Sequence, residues 1–440
     1  MKNKSNILLT AFFLFSFSIF FFNKYINFDT LSAIFFIVII GFMVVINRKK
    51  LDFQILLKIS KLPLLYAVLW RTEFGLGFMD RFASRFRELI KLIGYCFIGF
   101  GFYGMILISI NMLSLLFNLF ISPKDASQGV SLVLPLTNIP GIGYLSFWHF
   151  LIAIFVTVLI HEFAHGILAR AHNVPVKSSG LGVFSLLLPL FPIAFVEPDE
   201  KKLSKEKDIV QYSIFAAGPM TNIVLAFIIL LLFPYVLNPN PYVLNPNVPA
   251  PFEEKITYPV GFSFNDVMEN FSAMNQGMKP GMIINTVNGV TVFSYEDFSD
   301  EIGNLKPNQE LKLGTTNGTF TVIAKPSPDN PKKGLMGIQD IRNERRIKEG
   351  YNSVSAPFFW FKGLIRWIFL LNLMIGLINL LPLMITDGGR MLKTALGKIF
   401  SDAKKANKLW VFTGLLFIFT LLFALILRYS FQLFSFIGLN

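Results

Sequence analysis

Two histidines four residues apart, His161 and His165, enclose the pentapeptide HEFAH. Side chains at i and i+4 stand on one face of an α-helix, so both imidazoles can reach a single divalent cation. This is the spacing at which helical histidines hold zinc. Glu162 lies beside the first of them, suited to accept a proton from a water molecule attacking a substrate. The motif sits inside WHFLIAIFVTVLIHEFAHGILA, residues 148–169, where Glu162 is the only acidic or basic residue apart from histidine. A carboxylate near the centre of a bilayer costs about 2.5 to 3.5 kcal/mol even on lenient insertion scales. A chemical role therefore outweighs the bland alternative, a hydrogen-bonded polar cluster between helices. The remaining histidines, His149 and His172, stand at the two ends of the run and are expected at the membrane interface rather than on a metal.

Catalytic zinc usually takes three protein ligands, so two imidazoles leave the site one short. The best candidate for the third is Asp387, which closes the apolar run LNLMIGLINLLPLMITDGGR. Pro382 and the pair Gly388-Gly389 break a helix there, which lets the carboxylate turn inward. Taken alone, Asp387 reads as the N-cap of a following helix. Beside HEFAH it reads as the third ligand of one Zn2+ ion. Should it fail in that role, Glu197 and Asp199 are the next acidic groups to consider.

The elements that must position these residues follow from composition and charge. Apolar residues make up 53% of the 440, Phe alone numbers 50, and charged residues are only 15%. An ordinary soluble domain is excluded, and a polytopic α-helical membrane protein is expected. Apolar runs long enough to cross a bilayer, or nearly so, fall at about 7–22, 31–46, 92–121, 148–170, 209–236, 357–385 and 409–428, which makes about seven spans. No small-x-small site precedes Asn23 and Lys24, so 7–22 reads as an uncleaved span rather than a signal peptide. The net charge is +13, but the basic residues lie between apolar runs and form no nucleic-acid motif, so no nucleic acid is expected as partner. The segment 47–91 is rich in Lys and Arg, whereas 122–147 carries only Lys124. By the positive-inside rule the first faces the cytosol, and alternation then puts the basic segments 171–208 and 386–408 there too. HEFAH and Asp387 come out at similar depth, toward the cytosolic side. The run 51–70 is broken by Lys58, Lys61 and Pro63 and reads as an interfacial segment, not a span. The lone Cys96 has no partner for an internal disulfide.

Residues 234–240 and 241–247 repeat PYVLNPN in tandem, a duplication within a linker. The more polar stretch 258–342 reads as short strands separated by turns, with one helix near YEDFSDEIGNL. Gly277, Pro280, Gly281, Asn288 and Gly289 stand where PDZ domains carry their turn and Asn-Gly hairpin, and the stretch resembles that family. The resemblance implies a groove that takes an extended peptide as an added strand; a folded spacer is the alternative. The segment 180–196, GLGVFSLLLPLFPIAFV, suits either a membrane-dipping hairpin whose edge holds an extended substrate or a plain re-entrant loop.

HEFAH and the second motif together resemble the site-2 protease family of intramembrane zinc metalloproteases. The family's HExxH falls on His161, Glu162 and His165, and its asparagine, proline and aspartate-glycine motif on Asn379, Pro382, Asp387 and Gly388. An intervening small-residue motif falls on Ala217, Gly218, Pro219 and Asn222. The resemblance implies zinc ligation by His161, His165 and Asp387, Glu162 as general base, and Asn379 near the scissile carbonyl. It further implies single-span membrane proteins as substrates, cleaved within the bilayer in regulated intramembrane proteolysis. The expected organisation is accessory spans and a basic cytosolic loop in 1–147, catalytic spans in 148–236, a linker in 237–257, a small extramembrane PDZ-like α+β domain in 258–342, and catalytic spans again in 357–428. A prokaryotic plasma membrane is the expected location, with the PDZ-like domain extracytoplasmic. Two competing readings are a metal transporter and a membrane-anchored zinc protease acting on soluble substrates. The first lacks an internal repeat, and the second would carry HExxH in a polar domain.

Overall fold

The computed structural model describes residues 26–59, 62–139, 142–186, 188–236, 249, 251–328 and 330–436. The expected span 7–22 lies outside them, as does the tandem repeat except for its first three residues, which end a helix. The chain divides into two compact units, one of residues 1–227 with 364–440 and the other of residues 228–363.

Six helices among the described residues are long and apolar enough to cross a membrane, and the protein is a multi-pass integral membrane protein. We label the main helices α1 (Phe28–Ile46), α2 (Leu76–Arg85), α3 (Arg87–Ile121), α4 (Phe147–Ala171), α5 (Asp208–Val236), α6 (Tyr295–Ile302), α7 (Asn352–Leu380), α8 (Asp387–Ile399) and α9 (Ala403–Phe436). Their ends follow from local chemistry. Ser146 caps α4 by accepting from the His149 backbone N–H, and the Asp29 carboxylate takes a second terminal donor, the Phe147 N–H, at 2.8 Å. Helix α7 stops at Leu380, five residues before the expected end of that span. Pro382 has no N–H to continue the ladder and disfavours the helical conformation of Leu381.

Four strands, β1 (Asp52–Ile59), β2 (Leu62–Thr72), β3 (Val176–Leu186) and β4 (Leu188–Pro198), form an antiparallel sheet in the order β1-β2-β3-β4. Of the two readings open for 180–196, the hairpin is present, as β3 and β4, and it extends beyond that segment at both ends. Among its described residues, the run 51–70 forms no membrane-spanning helix, as expected. It folds as β1 and β2, and β2 pairs with β3 from Leu65↔Leu186 to Thr72↔Ser179. Backbone pairing is the physical reason, since unsatisfied peptide groups in or near a bilayer are costly and each hairpin supplies the other's partners. Arg71 of β2 ties the sheet together through ion pairs with Glu197 of β4 and Asp52 of β1.

The second unit contains the strands β5 (Thr257–Val267), β6 (Ile283–Val287), β7 (Val290–Thr291), β8 (Glu310–Thr315), β9 (Gly318–Ile323) and β10 (Ile338–Ile347). They form one sheet ordered β9-β8-β6-β5-β10, with β7 on β6. Alternate residues point inward, and Phe262, Phe264, Ile284, Val287, Leu311, Leu313, Val322 and the α6 residue Phe298 make a buried core. Asn288 and Gly289 both have positive φ, 50° and 87°, as a tight hairpin turn between β6 and β7 demands.

Candidate metal centre

Helix α4 buries one stripe, Phe150, Ala153, Thr157, His161 and His165, spaced by three or four residues. The two imidazoles meet Asp387 from the first turn of α8. His161 Nε2 and His165 Nε2 lie 3.1 and 3.3 Å from Asp387 Oδ2, and 3.2 Å from one another. A tetrahedral zinc site with ligand distances near 2.0–2.1 Å has ligand–ligand edges of about 3.3 Å, so this triangle of donor atoms has the size one face of such a site requires. Two imidazoles and a carboxylate are also a donor set that zinc takes. All three residues are buried.

Backbone chemistry explains why Asp387 is free to join. The N-cap of α8 is Thr386, whose hydroxyl accepts from the Gly389 N–H and from the Leu383 N–H at 3.2 Å. Asp387 is thereby the first helical residue, and its carboxylate is not spent on capping. The chain doubles back so tightly that a Cβ on Gly388 would lie 2.1 Å from the Leu380 carbonyl oxygen, and one on Gly389 1.6 Å from that of Leu383. Trp410 of α9 donates its indole N–H to the Gly389 carbonyl at 2.8 Å, pinning the turn from the other side.

Helix α5 orients the imidazoles. His165 Nδ1 donates to the Ile214 carbonyl at 2.7 Å, which leaves Nε2 with a lone pair for a cation. His161 Nδ1 lies 3.2 Å from the Asn222 side-chain amide, whose oxygen has no hydrogen-bond partner although it is buried. A half-turn of that amide brings the oxygen to Nδ1, so a His161 protonated on Nδ1 satisfies both groups and turns its Nε2 lone pair to the metal. Gly218 completes the cradle. A Cβ there would stand 2.4 Å from His165 Nε2 and 2.6 Å from His161 Nε2, so any side chain would collide with the two ring nitrogens that face Asp387.

Glu162 accepts from the backbone N–H of Val196 in β4 at 3.0 Å. Strand β4 is the last in its sheet, so its outer side carries backbone groups not used in the ladder, and one of them is directed at this carboxylate. Asn379, the residue before the last of α7, donates to the Ile375 carbonyl of its own helix at 3.0 Å and is not among the side chains bonded to the imidazoles. The fallback acids stand elsewhere. Glu197 is held by Arg71 and Ser178, and Asp199 caps the short helix Glu200–Leu203. The Lys202 backbone N–H, ahead of Lys177, holds the Asp199 carboxyl below the usual range. His149 and His172 are outside the cluster.

Sequence reasoning did not foresee the Val196 N–H, the Ile214 carbonyl or the Thr386 cap. The first two are backbone atoms with no signature in residue type. Asn222 entered only through the family resemblance, although an amide in an otherwise apolar span is itself a signal.

A family model described as Peptidase family M50 matches residues 149–421. A protein of Methanocaldococcus jannaschii described as uncharacterized is 30% identical over 276 residues, which are 60% of this chain and 60% of that protein. The chain thus matches about three-fifths of that relative's length.

Proposed function

The chain belongs to peptidase family M50, and from that premise we propose that it is an intramembrane zinc metalloendopeptidase of the site-2 protease type. The observation that carries the reading is the buried triangle of His161, His165 and Asp387 donor atoms, with Glu162 next to the first ligand on the same helix. Those three residues would hold the ion. A bound zinc ion would supply Lewis-acid polarisation of a peptide carbonyl and would acidify water. Glu162 accepts the proton of the attacking water and passes it to the leaving amine. Asn222 and the Ile214 carbonyl keep the imidazoles in the ligating tautomer. Asn379 orients the scissile carbonyl after leaving its bond to Ile375.

A substrate helix hides its carbonyls in internal hydrogen bonds and must be extended before attack. The outer edge of β4 offers that extended form a backbone ladder beside Glu162. Substrates are single-span membrane proteins, cleaved in regulated intramembrane proteolysis. The sheet domain of residues 258–342 acts as a PDZ-like module that selects substrates through a peptide groove. The membrane is a prokaryotic plasma membrane, and the basic segments favour an orientation with the metal centre toward the cytosol and the PDZ-like module outside.

Ligand and base are separated by three substitutions in the protein purified in detergent. Glu162→Gln should retain zinc and lower cleavage of a single-span substrate by about 10²-fold to 10⁴-fold. His161→Ala and Asp387→Ala should lose zinc and activity together. Cleavage by Glu162→Gln at the parent rate would falsify the mechanism, and full zinc in Asp387→Ala would move the third ligand elsewhere.

A further inference from the structure

An apolar cavity of about 510 Å³ lies between α2, α3, α4 and α5, on a side of the catalytic helix that the metal centre does not use. Its size falls within the about 300 to 1,000 Å³ of cavities that hold a small organic molecule. Ile160, Phe163 and Ala164 line it from α4, Thr221 from α5, and Phe78 and Phe82 from α2. Phe163 and Ala164 lie between Glu162 and His165 within HEFAH, so whatever fills the cavity packs directly on the turn that carries the two histidines. A row of exposed aromatic rings runs along and beyond the cavity lining. Phe74, Phe78, Phe82 and Phe86 recur every four residues, 68%, 50%, 40% and 39% exposed. Successive rings from Phe78 to Phe86 are 5.7 and 5.1 Å apart, and Phe163 joins them at 6.3 Å from Phe78.

Arg81 and Arg85 stand one turn apart on the flank of α2 next to these rings, since positions 78, 81, 82 and 85 share a helical face. Both are exposed, and among the described residues neither has a carboxylate partner. Arg81 Nε donates to the Gly77 carbonyl of its own helix, and the Arg85 guanidinium lies 5.5 Å from the Phe86 ring. The neighbouring charges are committed otherwise: Arg170 to Asp80, Lys91 to Glu88, and Arg87 to Asn173. Glu73 precedes the helix and is the nearest acidic group in sequence outside these pairs.

We propose that this cleft is a binding site for an anionic phospholipid, with one acyl chain in the cavity against Phe163 and the phosphate headgroup between Arg81 and Arg85. An apolar cleft open to a bilayer fills with hydrocarbon, and a phosphate is the group that two guanidiniums without a carboxylate partner, on the same face of α2 as the lining residues Phe78 and Phe82, complement. The excess of Lys and Arg throughout 47–91 favours the same partner. The proposal needs only the membrane embedding and stands or falls apart from proteolysis.

The test is native mass spectrometry of the full chain in a neutral detergent, titrated with palmitoyl-oleoyl phosphatidylglycerol or phosphatidylcholine. The parent protein should retain one phosphatidylglycerol in preference to phosphatidylcholine by about thirtyfold, the worth of two basic side chains at a membrane surface. Arg81→Gln with Arg85→Gln removes two exposed charges and should bring the ratio near one without weakening phosphatidylcholine binding. Ile93→Trp, at a lining position of α3 that is 42% exposed, should weaken both lipids. Equal retention by the parent, or an unchanged preference in the double variant, overturns the assignment. So does a photoreactive group at Phe82 that captures a single-span peptide and neither phospholipid, which would make the cleft a substrate site.

Discussion

Two sets of glycines in this chain do opposite work: turn glycines of the sheet domain set a backbone conformation, and helical glycines around the candidate metal centre leave space. In the sheet domain, Gly281 and Gly289 have φ of 86° and 87°, and a Cβ on either would meet nothing within 4 Å. What those positions require is a backbone conformation that other residues rarely adopt. Around the metal centre the glycines are needed for the opposite reason. Gly218 and Gly376 lie within helices, and a Cβ on Gly376 would stand 2.8 Å from Ile223 and 2.9 Å from the Pro219 carbonyl oxygen. Helices that pack in a membrane gain little from burying apolar surface, so close approach of backbones takes over.

The polar atoms differ in the same way. Among the described residues, the sheet domain buries polar side chains only as hydroxyls, Thr257, Ser263, Ser272 and Ser327, beside its apolar cluster. The membrane region instead buries Thr157, His161, His165, Asn222, Asn372 and Asp387. Asn372 of α7 donates to Thr157 of α4 at 2.9 Å, one helical turn along from His161. Polar groups inside a bilayer persist where they pair or carry chemistry, and these six lie on the faces of α4, α5, α7 and α8 that meet around His161.

The sharpest way to break the comparison is Gly218→Ala. Alanine is favourable in a helix, so a conformational role predicts no loss. A role in space predicts that the new methyl displaces both imidazoles and that zinc affinity falls by about a hundredfold. Competition with a chelating indicator reads it directly, and parent-like affinity would end the argument. Asn222→Leu follows with a smaller effect. It keeps volume but leaves His161 Nδ1 without an acceptor, which should cost about tenfold in zinc affinity. Thr386→Val keeps shape and removes only the hydroxyl that caps α8 and holds Leu383. It should cost about 1 kcal/mol, seen as roughly fivefold faster zinc release, with stoichiometry unchanged.

Legibility in the sequence followed the range of the interaction. The histidine spacing and the exceptional carboxylate were readable because four residues on one helix suffice to judge them, and the apolar flanks supply the context. Asp387 was readable as a ligand candidate only by need of a third donor. Its separation from the capping role rests on a one-residue register, Thr386 rather than Asp387 as N-cap, which no composition argument resolves. The strands β1 and β2 were hidden because the run 51–70 is rich in leucine and short of β-branched residues, a pattern a helix also accepts. Their reason for being strands is the backbone of β3, more than a hundred residues away in sequence. The Asn288-Gly289 turn was visible because positive φ is a property of the residue itself.

The mildest test sits in the sheet domain. At Gly289 the space for a side chain is free, so Gly289→Ala meets no clash and pays only for holding alanine at a φ of 87°, about 1 kcal/mol. That amount should raise hydrogen exchange of the β6 and β7 amides by about fivefold, and the change should stay within the hairpin because its core contacts are untouched. Zinc stoichiometry should be that of the parent, since the hairpin supplies none of the donor atoms at the metal centre. The pair of alanine substitutions then forms a crossed design. Gly218→Ala acts on the metal and not on local backbone stability, and Gly289→Ala acts on local stability and not on the metal. Loss of zinc in Gly289→Ala with an intact fold would show that the two positions are energetically coupled, and the separation between a glycine kept for space and a glycine kept for conformation would fail.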